Sequence, residues 1–178
     1  KTSLNGDTKK YYAFPKASLA VNISSFDFWN TTVINLLKIR GAFGKTGNPA
    51  SFGSKFTNII PFAIDGVTGG STPTTVGNPA TEPETSKEVE CGIDFAAFKT
   101  RVTGEISYYT RDIKDFIDVF NLSPGTGVTS YKAFNVGDIE NKGFEVSLGG
   151  TPVQNKNIKW ATTVNWWHNR SKITRLII

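Results

Sequence analysis

The sequence predicts an all-β chain, and three observations carry that prediction. Glycine, asparagine, threonine and aromatic residues are plentiful, while the long Ala/Leu/Glu/Lys runs of helices are missing. Several segments alternate apolar and polar residues with the period of two that a strand imposes. The connections between those segments are short at one end and long at the other, the loop asymmetry of an up-and-down membrane barrel.

In chain order, the first segment spans 11–24, with Ala17, Leu19, Val21 and Ile23 on one face and Lys16, Ser18, Asn22 and Ser24 on the other. The pattern resumes at 34–44, where Leu37, Ile39, Gly41 and Phe43 oppose Lys38, Arg40 and Ala42. Charges in mid-strand must face water or partners, because an isolated buried charge is too costly. Residues 46–85 show no sustained period and are rich in Gly, Pro, Thr, Ser and Asn, so they read as a long loop, a kind that is usually functional. A third strand over 86–95 sets Val89, Cys91, Ile93 and Phe95 against Glu88, Glu90 and Asp94. After a short turn, 101–111 alternates Val102, Gly104, Ile106 and Tyr108 with Thr103, Glu105, Ser107 and Tyr109. A second long connection covers 112–134. The run Asn135-Val136-Gly137-Asp138-Ile139-Glu140-Asn141-Lys142-Gly143-Phe144-Glu145 then leads into a strand with Phe144, Val146 and Leu148 on its apolar face. A turn over 149–157 precedes the sixth strand, 158 to about 169, where Trp160, Thr162, Val164 and Trp166 alternate with Ala161, Thr163, Asn165 and Trp167.

Each strand has one apolar and one polar face, which a soluble sandwich also shows. The loop asymmetry, and aromatics such as Tyr11, Tyr12, Tyr108 and Trp166 near strand ends, favour the barrel, whose interfacial girdles they would form. The alternative is a soluble all-β module that binds carbohydrate or protein.

Composition excludes several function classes. The net charge of +5 is spread along the chain rather than gathered on one element, against the pattern of a nucleic-acid binder. The single cysteine, Cys91, rules out an internal disulfide and, with only His168 beside it, a Cys/His zinc site. No apolar run reaches the length of a membrane helix, which leaves β-strand spans open. The lack of methionine, the start at Lys1 and an end inside a β-like segment lead to the expectation of a fragment or processed chain.

Five segments carry a family likeness. Tyr12-Ala13-Phe14-Pro15-Lys16-Ala17-Ser18 forms an aromatic-Phe-Pro strand entry. Leu37 to Asn48 reads Leu-Lys-Ile-Arg-Gly-Ala-Phe-Gly-Lys-Thr-Gly-Asn. Asn78-Pro79 to Glu84-Thr85, followed by Gly92-Ile93-Asp94-Phe95, forms the third; Tyr108-Tyr109 with Arg111, Lys114 and Asp115 the fourth; and Asn135 to Glu145 the fifth. In this order they resemble the β-barrel of SusC/RagA-type TonB-dependent outer-membrane transporters over nearly the whole chain. Two departures stand out: Ala80-Thr81-Glu82-Pro83 where the family has Leu-Lys-Trp, and Asp138 and Glu140 between the landmarks of the fifth motif. The resemblance makes residues 1–178 part of one barrel domain, with long extracellular loops at about 46–85 and 112–134. It implies a barrel of about 22 strands, filled by a plug and energised by TonB through regions this sequence does not match. A SusD-like surface lipoprotein would cover the mouth, the cargo would be an oligosaccharide or peptide, and no enzyme chemistry and no cofactor are implied.

Other motifs have simpler readings. Gly44-Lys45-Thr46 mimics the end of a phosphate loop, but the motif's first glycine would fall on Ile39 and Asn48-Pro49 stands where a helix must begin. Glu88, Glu90 and Asp94 could be acid/base carboxylates, yet strand spacing makes them one polar face. Cys91 is a small residue on the apolar face, and His168, beside Trp167, is interfacial. No catalytic or metal-ligating set emerges. The candidate contacts for cargo or partner are Phe52, Phe56, Phe62, Phe120, Tyr131 and Phe134, all in the long connections, where they could stack on sugars, meet a lipoprotein or pack the loops on one another. Asn135 to Glu145 reads as the descent from an extracellular loop into the membrane, with Lys142 at the interface and Phe144 starting the lipid-facing row.

Overall fold

The computed structural model describes residues 11–177. The strands are β1 (Lys16–Asn22), β2 (Ile34–Asn48), β3 (Ile60–Ile64), β4 (Val67–Ser71), β5 (Thr75–Val76), β6 (Glu84–Ala97), β7 (Val102–Asn121), β8 (Ser130–Gln154) and β9 (Lys159–Leu176), with two short 3₁₀ turns at Ile23–Ser25 and Pro124–Thr126. The wall is one sheet in the order β1-β2-β6-β7-β8-β9, every neighbouring pair antiparallel. β5 adds a two-residue parallel rung to the outer end of β8. Among the described residues β1 and β9 each pair on one side only, so the sheet is open at both edges.

The register turns the alternation of the sequence into rows across the wall. One row joins Val21, Ile39, Ile93, Ile106, Val146 and Trp166, and the next on the same face joins Leu19, Gly41, Cys91, Tyr108, Phe144 and His168. Phe144 meets Trp166 edge-on at 4.6 Å between ring centres. The opposite face carries the row Asn22, Lys38, Asp94, Glu105, Ser147 and Asn165.

Among the described residues nothing covers the apolar face. Leu19 is 70 % exposed and Val164 63 %, and the buried apolar residues among those described are four alanines, Ala50, Ala96, Ala97 and Ala133. A soluble sandwich needs a second layer and a core of large side chains, and neither is present in the described residues. From Val102 to Thr110 the apolar rows of a strand tilted by about 40° span roughly 20 Å, close to the lipid-facing band of a membrane barrel. At the short-turn end the β6–β7 connection is tight. Phe98, Lys99 and Thr100 all take left-handed backbone angles (φ 53, 57 and 64°), held by Phe98 N–H donating to Val33 O and Lys99 N–H to Asn35 Oδ1. For a β-branched residue that conformation costs about 1–2 kcal/mol. Thr100→Gly is therefore expected to stabilise the fold by about 0.5–1 kcal/mol, after glycine's greater freedom in the unfolded chain is counted. Denaturant unfolding of the intact protein in detergent measures it.

Four extents differ from the sequence expectation. The first strand, expected over 11–24, is confined to Lys16–Asn22, with Ile23–Ser25 in a 3₁₀ turn. The loop expected over 46–85 is not structureless: β2 runs to Asn48, β6 starts at Glu84, and between them β3 and β4 form a hairpin while β5 docks on β8. The connection expected over 112–134 shrinks to 122–129, because β7 continues to Asn121 and β8 begins at Ser130. The last turn is 155–158 rather than 149–157, and β9 continues past Asn169 to Leu176. The strands thus project beyond the apolar band on the long-loop side.

Candidate functional site

The polar face of the wall is a network centred on Arg40. From β2 its guanidinium crosses β6 to reach Glu105 and Ser107 on β7, donating to Ser107 Oγ at 2.7 Å. It also donates to Glu90 Oε1 at 3.2 Å, and its Nε forms an ion pair with Asp94 Oδ1 at 3.3 Å. The crossing needs room over Gly92, where an added Cβ would lie 2.7 Å from Arg40 Nε. Lys38 Nζ pairs with Asp94 Oδ2 at 2.7 Å, and Arg111 Nε donates to Glu88 Oε2 at 2.7 Å. The acidic row Glu88, Glu90 and Asp94 is therefore bridged by cations, an arrangement suited to a polar barrel lining. Among the described residues no group of His, Cys, Asp and Glu could hold a metal ion.

Above the apolar band, Asn135 to Glu145 builds a polar knot. Asp138 is 6 % exposed. Its carboxylate accepts from Arg175 Nε and Nη2, each at 3.0 Å, from Lys114 Nζ at 3.1 Å and from the Asp115 N–H at 3.0 Å. Arg175 Nη2 also donates to Asp115 Oδ1 at 2.9 Å. Hydrogen bonds from the Arg175 guanidinium hold the Asp138 carboxyl well below the usual carboxylate range; burial opposes this, and the Asp115 N–H and Lys114 reinforce it. Asp115 adopts φ 56° at a register shift between Ile113 and Phe116, so it is a β-bulge that turns its N–H toward Asp138. Gly137 allows the close approach of β9: an added Cβ there would lie 2.2 Å from the Arg175 carbonyl oxygen.

The same motif ties down the outer loop. Asn135 Nδ2 donates to the carbonyls of Glu82 (2.8 Å) and Asp115 (2.7 Å), and its Oδ1 accepts from the Glu82 N–H at 2.9 Å. Thr81, fully buried, donates from Oγ1 to the Ala133 carbonyl at 2.8 Å. Two of the departures thus have structural roles: Thr81 and Glu82 fasten the end of the first loop to β8, and Asp138 ties β8 to β7 and β9. Residues 54–57 are held in turn, through Asn78 N–H to Ser54 O, Gly77 N–H to Thr57 Oγ1 and Lys132 Nζ to Phe56 O.

Three of the six candidate aromatics come together. Phe120 stacks on Phe134 at 4.7 Å and Tyr131 on Phe134 at 5.8 Å, a half-buried cluster on the extensions of β7 and β8. Phe62 lies on β3 against Gly69 of β4. Phe52 and Phe56 remain exposed, at 82 % and 51 %. Sequence reasoning missed Asp138, Asp115 and Arg175 as a unit. Their charges in the middle of a strand-like stretch were the available signal.

A single open sheet, apolar and uncovered on one face, polar and ion-paired on the other, and prolonged beyond its apolar band on one side, defines a section of a membrane β-barrel wall. Comparison with known proteins makes this specific. Residues 1–175 match the family described as "TonB dependent receptor-like, beta-barrel". TonB-dependent receptor P3 of Formosa agariphila is 31 % identical over 172 residues, which cover 94 % of this chain and 17 % of that receptor. TonB-dependent receptor SusC of Bacteroides thetaiotaomicron is 26 % identical over 94 % of this chain and 18 % of its own length. The structure of the RagAB peptide importer in the closed-closed state superposes with a TM-score of 0.88 at 25 % identity, over 99 % of this chain and 20 % of that one. The chain belongs to the TonB-dependent receptor family, as part of its outer-membrane β-barrel. It spans under a fifth of the length of the curated relatives it matches.

Proposed function

We propose that this chain forms a section of the wall and external loops of an outer-membrane receptor that imports a bulky nutrient, an oligosaccharide or a peptide, by TonB-dependent transport. It makes and breaks no covalent bonds. A SusD-like surface lipoprotein meets the outer end of the barrel, and TonB acts through a region outside this chain. The observation that carries the reading is the outer end itself: exposed aromatics on a loop that is pinned to the wall through Thr81, Glu82 and Asn135 rather than left free. Aromatic faces held in place bind sugar rings or apolar peptide side chains at low entropic cost. One relative is described as a peptide importer, which supports a bulky cargo of that kind.

The test uses the complete receptor. With Phe52 and Phe56 both changed to alanine, retention of co-purifying peptide or oligosaccharide, read by mass spectrometry, is expected to fall about tenfold, the loss of one to two aromatic contacts. Unchanged cargo retention together with an unchanged lipoprotein complex would overturn this reading of the loop.

A further inference from the structure

On its lipid-facing side the wall changes character abruptly toward the long-loop end. Above the row ending in Phe144 and His168 comes Ala17, Phe43, Val89, Thr110, Lys142 and Arg170, and above that Lys45, Lys87, Asp112, Glu140 and Lys172. Five cations therefore stand on the face that elsewhere bears Leu, Ile and Val, against two carboxylates. Glu140 accepts from Lys142 Nζ at 2.8 Å and lies within the field of Lys172 and Arg170, and Asp112 on β7 adds its field at Lys142, so two carboxylates face five cations. Lys87 Nζ sits over the Phe43 ring, 5.9 Å from its centre.

These side chains point away from the barrel lumen, so cargo and plug do not explain them. Their height is fixed: immediately above the last apolar row, on the side with the long loops, which is the external side of such a barrel. What lies there is the headgroup layer of the outer leaflet. Scattered snorkelling lysines would suffice to anchor a barrel in any membrane. A cluster on β8 and β9 that includes an arginine, whose planar fork suits phosphate oxygens, and that is left with surplus positive charge matches an anionic headgroup.

We propose that Lys142, Arg170 and Lys172, extended along the sheet by Lys87 and Lys45, form a binding site on the outward face of the barrel for the phosphate groups of a phosphorylated glycolipid of the outer leaflet. The lipid's acyl chains lie over the row of Ile93, Ile106 and Val146, while its phosphates meet the cations above. The site rests on the barrel's orientation in the membrane and is independent of the cargo.

The test is made on the complete receptor in phosphatidylcholine nanodiscs that contain a diphosphorylated glycolipid or the same glycolipid with its phosphates removed. Native mass spectrometry counts the glycolipid retained. Wild type is expected to retain the diphosphorylated form and release the dephosphorylated one, a comparison that needs no variant. In the K142Q/R170Q/K172Q variant retention of the diphosphorylated form is expected to fall roughly a hundredfold, with cargo retention unchanged. Equal retention of the two glycolipids by wild type, equal retention by wild type and variant, or displacement by inorganic phosphate alone would each overturn the site. Loss of cargo with glycolipid retention intact would bear on the proposed transport function and leave this site standing.

Discussion

Changing Val146 to arginine is expected to destabilise the assembled receptor by about 2–4 kcal/mol, the cost of a cation on the lipid face near the bilayer midplane. Val146 sits in the row of Val21, Ile39, Ile93, Ile106 and Trp166, between the short turns and the basic row above, so an arginine there can snorkel only over a long distance. Ser147, one residue on, belongs to the opposite row with Asp94 and Glu105. Ser147→Arg places its charge among carboxylates in a wet lining, and its effect is expected to stay within about 0.5 kcal/mol. Unfolding of the reconstituted receptor in denaturant separates the two variants. The contrast between neighbours matters more than either value, because it assigns the two faces of β8 to different surroundings, apolar at Val146 and polar at Ser147.

Removing the carboxylate of the outer knot is expected to have the second large effect. Asp138→Ala leaves the Asp115 N–H without its acceptor and Arg175 and Lys114 without their shared anion, and is expected to cost about 1–3 kcal/mol. The pH dependence has a definite sign. The folded-state carboxyl is held below its unfolded value. Its contribution is therefore fully present above the unfolded value of about 4 and is lost as pH falls through the lower folded value. The stability gap between wild type and variant should be constant from neutral pH down to about pH 5 and close only in stronger acid. A gap that closed between pH 6 and 8 would mean that another group governs the knot. Because Asn135 links the same segment to Glu82, the variant should also loosen the first loop, read as faster amide exchange at residues 78–84.

The membrane-spanning part of the wall was legible in the sequence because lipid on one side and a polar lumen on the other enforce strict alternation. Val102 to Thr110 and Phe144 to Leu148 show that pattern and pair as it implies. The alternation fades where the strands leave the membrane. Arg170, Ser171, Lys172 and Thr174 lie beyond the apolar band, where both faces of the strand carry polar residues, so no apolar period marks β9 there, although its backbone ladder continues to Leu176. At 112–116 the period is broken by the Asp115 bulge itself, which inserts a residue and shifts the register. The β3–β4 hairpin had a signal that went unread: Asp65-Gly66, both with positive φ, between Ile60–Ile64 and Val67–Ser71, is the two-residue turn that favours a tight hairpin. Of the candidate site, the aromatic stack of Phe120, Tyr131 and Phe134 depends on pairing that begins only at Ser130, and the Asp138 knot gathers charges from three strands. Local pattern encodes neither contact.

The account's central claim is that Phe144, Val146 and Leu148 face lipid while Glu145 and Ser147 face the lumen. Spin labels placed singly at residues 144–148 of the complete receptor in bilayers, probed by collision with oxygen and with a water-soluble nickel chelate, test it most directly. The account predicts oxygen accessibility that is high at 144, 146 and 148 and low at 145 and 147. Nickel accessibility equal at Val146 and Ser147, with no period of two along β8, would contradict it.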